Sequence, residues 1–161
     1  MCEGCGCHEM YERSIVAVCG KGGVGKTSLT TIITRILAEQ GDGKVLAIDA
    51  DPAVGLATSL GMGVTRTLDD IRSELIGRMQ SGVKEDRREM IARLEYELFE
   101  ALTERDNLAF LAIGRPETEG CYCQINGILK DMIASLSANF KYVVIDGEAG
   151  PAEQPERRER G

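Results

Sequence analysis

The sequence predicts an α/β fold in which a mostly parallel sheet carries helices on both faces. Three observations lead there. Four short apolar runs, residues 14–19, 44–49, 107–113 and 141–146, alternate with segments of helical periodicity along the 161 residues, the pattern of successive strand–helix–strand units. The first run passes directly into a glycine-rich loop and then a helix. The second and fourth runs end in aspartate, Asp49 and Asp146, so acidic groups gather beyond the carboxyl ends of parallel strands, where open sheets hold ligands.

Ser14 to Cys19 (Ser-Ile-Val-Ala-Val-Cys) forms the first buried strand. It enters Gly20-Lys21-Gly22-Gly23-Val24-Gly25-Lys26-Thr27, which fits G-x-x-x-x-G-K-[ST]. Leu29, Ile32, Ile33, Ile36 and Leu37 follow at helical spacing. Strand, glycine loop and helix in that order offer free N–H groups and the positive end of a helix dipole to an anion. Residues 20–28, Ser28 included, therefore read as the phosphate site of a P-loop NTPase-type fold. A glycine-rich turn before an ordinary helix is the bland alternative, and the correct flanks on both sides weigh against it.

The first helix ends near Gln40, because Gly41-Asp42-Gly43 is a strong breaker. Residues 44–49 make the second strand, which finishes in Asp49-Ala50-Asp51-Pro52. Either aspartate can cap the next helix, or the pair can serve magnesium and the attacking water. Residues 55–80 read as short helices and turns punctuated by Gly55, Gly61 and Gly63. Between Lys84 and Glu104, the stripe Met90, Ile91, Leu94, Leu98 and Leu102 marks an amphipathic helix packed on a core.

The third strand, Asn107 to Ile113, leads into a polar loop and then Cys121-Tyr122-Cys123. Ile125, Ile128, Leu129, Met132, Ile133 and Leu136 give the next helix its apolar face. Residues 141–146 form the fourth strand, and its terminal Asp146 suits the Walker B carboxylate that organises magnesium. Gly150, shortly beyond, is placed to offer a backbone N–H to a γ-phosphate. Residues 151–161 lack any large apolar side chain and are expected to form a disordered tail.

A net charge of −7 argues against a non-specific binder of nucleic acid or acidic membrane. No apolar run approaches a membrane span, and residues 1–13 lack the apolar core of a signal peptide. A cytoplasmic protein is expected, with its six cysteines as thiols or metal ligands rather than disulfides. Cys2, Cys5, Cys7 and His8 in the extension 1–13 are either exposed thiols of a mobile tail or an auxiliary metal site.

Lys21, which follows Gly20, supplies the second lysine of the deviant Walker A motif K-G-G-V-G-K-T. On that motif the chain resembles the MinD/ParA/nitrogenase-iron-protein group of dimeric ATPases. Gly114-Arg115-Pro116…Gly120-Cys121-Tyr122-Cys123 and Val144-Ile145-Asp146-Gly147-Glu148-Ala149-Gly150 look, within that group, like the CooC-type accessory ATPases that help insert nickel into carbon monoxide dehydrogenase. The resemblance covers residues 14–150. It implies that Lys26 holds β- and γ-phosphate oxygens of ATP and that Thr27 places its hydroxyl on Mg2+. It implies that Lys21 reaches the nucleotide of the opposite subunit, that Asp51, with Asp49 beside it, positions the attacking water, and that Asp146 holds magnesium through water. Cys121 and Cys123 from each of two subunits would hold one Zn2+ or Ni2+, giving a homodimer bridged by ATP and metal and a carbon monoxide dehydrogenase client.

Family members continue well past the Walker B strand with further strands and a base-recognition segment, so a C-terminal half is expected to be missing from this chain. The domain expectation is a Cys-rich extension over 1–13, a partial P-loop ATPase domain over 14–150 and a tail over 151–161. Two rivals stand beside the ATP-dependent metallochaperone. One is a MinD/ParA-like positioning ATPase; the other is a non-catalytic nucleotide- or metal-binding remnant.

Overall fold

The computed structural model describes residues 13–82, 86–115 and 123–147. Its elements are β1 (Ser14–Val18), α1 (Lys26–Gln40), β2 (Val45–Asp49), α2 (Gly55–Leu60), α3 (Leu68–Gln80), α4 (Arg87–Ala101), β3 (Thr103–Arg105), β4 (Leu108–Ala112), α5 (Cys123–Ser137) and β5 (Tyr142–Asp146). They build a five-stranded sheet in the order β1-β5-β2-β4-β3. The first four strands of that order run parallel, and β3 runs antiparallel to β4. The mostly parallel α/β architecture expected from the sequence is the one observed. The expected tail 151–161 and all but the last residue of the extension 1–13 lie outside the described residues.

Every residue of β2 and β4 is buried, as strands covered on both faces should be. Because side chains alternate along a strand, two cores form. Leu46, Ile48, Ala109, Leu111 and Val143 pack under α3, α4 and α5, against Ile71, Leu75, Leu94, Leu98, Ile125 and Leu129. Val45, Ala47, Leu108, Phe110 and Val144 pack on the other face against Leu56 and Leu60 of α2 and Ile33 and Leu37 of α1.

Three local readings change. Residues 68–80 form one helix of 13 residues, opened by a capping box in which Thr67 and Asp70 exchange backbone and side-chain hydrogen bonds. The third strand gains a hairpin partner, β3, across a turn at Asp106 and Asn107, where Asp106 takes φ 56°. On α1, the inward positions are Thr30 and Thr34, fully buried, with Ile33 and Leu37 partly buried beside them. Leu29, Ile32 and Ile36 are each about half exposed, on a helix beside β1, the marginal strand of the sheet among the described residues.

Candidate functional site

Strand register assembles the site. Val18 of β1 is the register partner of Asp146 on β5, and Asp146 is in turn the partner of Asp49 on β2. Hydrogen bonds tie the three exits together: Gly147 N–H to the Val18 carbonyl at 3.0 Å, and Ala50 N–H to the Asp146 carbonyl at 2.8 Å. The loop after β1, Asp49 at the end of β2 with Asp51 just beyond it, and Asp146 at the end of β5 thus share one end of the sheet. A Cβ on Gly147 would lie 2.9 Å from Cys19 Sγ, a measure of how closely the two exits approach.

Between β1 and α1, residues 20–25 form the loop. Gly25 takes φ 89° and ψ 22° as the N-cap of α1, with no side chain capping the helix. A left-handed N-cap without a side-chain acceptor leaves the first-turn amides of α1 free for an external anion, and no acidic residue stands in that turn to compete. Lys26 Nζ donates across the loop to the Lys21 carbonyl at 3.3 Å. Lys21, Gly22, Gly23 and Val24 are exposed along the rim, whereas Lys26 and Thr27 are half-buried. A Cβ on Gly55, at the start of α2, would lie 3.7 Å from Thr27 Cγ2, so the loop after β2 closes against this first turn.

The three aspartates differ in burial and in hydrogen-bond partners. Asp49 is fully buried; one carboxylate oxygen accepts from Asp51 N–H at 3.1 Å and the other from Leu56 N–H at 2.9 Å. It therefore caps α2 and braces the intervening loop. Burial is the main cause that raises its pKa, opposed by those two amides and reinforced by the charges of Asp146 and Asp51. Asp51, half-buried, accepts from Ala53 N–H at 2.9 Å, and its own carbonyl accepts from Val54 N–H. Val54, the N-cap just before α2, takes φ 49°, a conformation costly for a β-branched residue and characteristic of functional loops.

Asp146 is 1 % exposed. Thr30 Oγ1 lies 3.3 Å from Asp146 Oδ1, and among the described residues Asp146 Oδ2 is buried without a hydrogen-bond partner. A buried carboxylate oxygen left unpaired is costly, and it fits a role toward a hydrated cation. Among the described residues, no three His, Cys, Asp or Glu side chains cluster as a metal cage.

Thr30 is the residue that sequence reading missed; its signal was a polar β-branched pair, Thr30 and Thr34, on the helix face turned to the sheet. The remaining expectations fall largely elsewhere. Cys2, Cys5, Cys7, His8, Cys121 and Gly150 lie outside the described residues, and of Cys123 only its backbone, opening α5, is described. Among the described residues no helix is long and apolar enough to cross a membrane.

A family model, the CobQ/CobB/MinD/ParA nucleotide binding domain, matches residues 15–146. An uncharacterized ATP-binding protein of Methanocaldococcus jannaschii is 40% identical over 139 residues, which are 84% of this chain and 53% of that protein. The carbon monoxide dehydrogenase accessory protein CooC of Rhodospirillum rubrum is 45% identical over 51 residues, covering 32% of this chain and 19% of that one. Among solved structures, the cobyrinic acid a,c-diamide synthase of Mycobacterium smegmatis with bound ADP and magnesium aligns with a TM-score of 0.55 at 24% identity, over 84% of this chain and 51% of that one. At that identity the likeness is one of fold. The chain spans about half the length of the curated relatives it matches over most of its own length.

Proposed function

The chain belongs to the CobQ/CobB/MinD/ParA nucleotide-binding family, and on that premise we propose that it is a dimerising ATPase whose nucleotide cycle serves delivery of a metal ion to a carbon monoxide dehydrogenase-type client. The observation that carries the nucleotide part is the common strand end, where the loop after Val18, Asp51 and Asp146 converge.

Amides of residues 20–28, joined by Gly150, take the phosphate oxygens at the start of α1. Lys26 exchanges its bond to the Lys21 carbonyl for β- and γ-phosphate oxygens, a charge-assisted contact. Thr27 and Asp146 are the residues that would hold magnesium, which when bound neutralises phosphate charge. Asp51, on the loop braced by Asp49, orients the water that adds to the γ-phosphorus as the bond to the bridging oxygen breaks and ADP leaves. Lys21, exposed on the loop rim, reaches the nucleotide of a second protomer.

The metal part rests on Cys121 and Cys123 and on the CooC-like stretch. Paired thiolates from two chains make a tetrahedral set for zinc or nickel. A MinD/ParA-like positioning ATPase has no need of such a pair, so metal carriage separates the two readings. Single-turnover hydrolysis of ATP with magnesium, followed together with mass in solution, tests the core of the proposal. The expected result is phosphate release and ATP-dependent association, both lost in Lys26→Ala. Absence of nucleotide binding by the wild-type chain overturns it, and binding without hydrolysis leaves the remnant reading in its place.

A further inference from the structure

We propose that Thr30 is a positioning residue for Asp146, a hydroxyl that supports the carboxylate when its other oxygen serves magnesium. The inference rests on the nucleotide-binding reading above.

Thr30 sits on the second turn of α1 and is 0 % exposed. Its Oγ1 lies 2.9 Å from the Lys26 carbonyl and 3.3 Å from Asp146 Oδ1. A hydroxyl has one proton, so it serves one of these acceptors at a time or divides its proton between them. A threonine within a helix ordinarily returns that proton to the carbonyl one turn back, as Thr31 does to Thr27 at 2.7 Å. Among the described residues Thr31 has no second acceptor. Thr30 does, and that acceptor belongs to the strand end of β5, 116 positions away in sequence.

The position is an expensive one for a hydroxyl. Thr30 packs on the face that α1 turns to the sheet, where valine would fill the same space without a polar atom to satisfy. Thr34, one turn further along the same face, shows the cost: it is equally buried, and among the described residues its Oγ1 has no partner. Asp146 has the complementary need. Among the described residues, Thr30 is the side-chain donor on its carboxylate, and Oδ2 is left with none.

Thr30 thus links the backbone of Lys26, the phosphate-loop lysine, to the carboxylate of β5 through a single movable proton. When Oδ2 accepts from a cation-bound water, donation from Thr30 to Oδ1 stabilises the anionic carboxylate and holds its plane. With the proton on the Lys26 carbonyl, that support is withdrawn. The contact therefore ties strength of cation binding to the geometry of the first turn of α1.

The test uses the full chain and the nonhydrolysable probe adenylyl-imidodiphosphate, its affinity measured calorimetrically across a titration of Mg2+ and again in excess chelator. Thr30→Val keeps the shape and removes the hydroxyl. It is expected to raise the Mg2+ concentration at half effect by about tenfold, the scale of one hydrogen bond to a charged group, while affinity in chelator stays unchanged. Thr30→Ser restores the wild-type Mg2+ dependence. Thr34→Val, on the same buried face without the contact to Asp146, leaves it unchanged and controls for packing; Thr30→Ala repeats the test if valine disturbs folding. A wild-type Mg2+ profile in Thr30→Val, or equal losses with and without Mg2+, overturns the inference while the nucleotide-binding reading survives. A wild-type chain that binds no probe at all overturns both.

Discussion

Asp49 and Asp146 are register partners on adjacent parallel strands, and both carboxylates are buried on the sheet face beneath α1 and α2. Their proximity adds to the burial that raises the pKa of Asp49. Native Asp49 therefore keeps its proton to a higher pH than the unfolded chain does. Between the two pKa values the folded state holds more protons, so this residue's contribution to stability falls as pH rises through that interval. Asp49→Asn removes the titration and also leaves one of the two amides, Asp51 or Leu56, with a poorer acceptor, a pH-independent cost of about 1–3 kcal/mol. Thermal melts from about pH 4 to about pH 7 are expected to show the wild type's advantage over Asp49→Asn greatest at the acid end and shrinking upward. A gap that does not change with pH would refute the assignment.

The two lysines of the loop should separate under mutation. Lys26 is half-buried and crosses the loop to the Lys21 carbonyl, whereas Lys21 is exposed on the rim. Lys26→Ala is expected to weaken ATP binding at least about tenfold, since a charged hydrogen bond contributes about 1.5–3 kcal/mol. Lys21→Ala should spare binding and abolish ATP-induced association. Equal loss of affinity in both, measured by titration calorimetry, sinks the division of roles.

Asp51→Asn offers a clean test of the water-positioning role, because its turn need not collapse. The amide oxygen of asparagine can still accept from Ala53 N–H, as Asp51 Oδ1 does, so the loop between β2 and α2 keeps its closure. Turnover is expected to fall about 10²-fold, within the range for a positioned carboxylate acting on a proton, with nucleotide affinity nearly unchanged. Unaltered turnover would leave Asp51 as a turn residue only.

The sequence carried the parallel sheet and its ligand edge because their signals are local: continuous apolar runs, a glycine loop, aspartates at run ends. It carried less where a signal depends on what lies across the fold. The face of α1 is the clearest case. Leu29, Ile32 and Ile36 obey helical spacing yet are exposed, while Thr30 and Thr34 point to the sheet; which flank is covered follows from strand order, and β1 is marginal. Asp49 and Asp51 look alike in sequence, and only the amides of Asp51 and Leu56 show which one is the brace. β3 is three residues long, too short for alternation to show.

A metal assay bears on Cys121 and Cys123. Two cysteines from one chain fill half of a tetrahedral thiolate site with metal–sulfur distances of ~2.3 Å, and a two-fold axis through the ion completes it. In a background with Cys2, Cys5 and Cys7 replaced by serine, added zinc or nickel should bind at one ion per two chains and shift the mass to that of a dimer. Affinity should drop as pH falls, because the ligand is thiolate. One ion per chain, or binding that survives both Cys121→Ser and Cys123→Ser, would show that this pair is not the site.

The open margin of the sheet makes the last prediction. Among the described residues β1 pairs with β5 on one side only, and the backbone groups along its other side have no strand partner there. Apolar surface flanks that edge on both faces. Leu29, Ile32 and Ile36 line the flank of α1 turned away from α2, since Arg35 on the opposite flank donates to the Ser59 carbonyl at 2.9 Å. Ile15, 54 % exposed, belongs to the other face, where its register partner Val143 packs under the α3–α5 layer. An unpaired strand edge between apolar surfaces is a template for pairing with another chain. The 161-residue chain is therefore expected to associate with itself at micromolar concentration. Lysine at Ile15 and Ile32 should shift it toward monomer at little cost to the melting temperature, because substitutions at exposed positions usually change stability by less than about 0.5 kcal/mol. Light scattering at several concentrations decides the matter: a wild-type chain that stays monomeric and melts reversibly shows that the edge is not adhesive, and a lysine variant that unfolds shows that these side chains belong to the core.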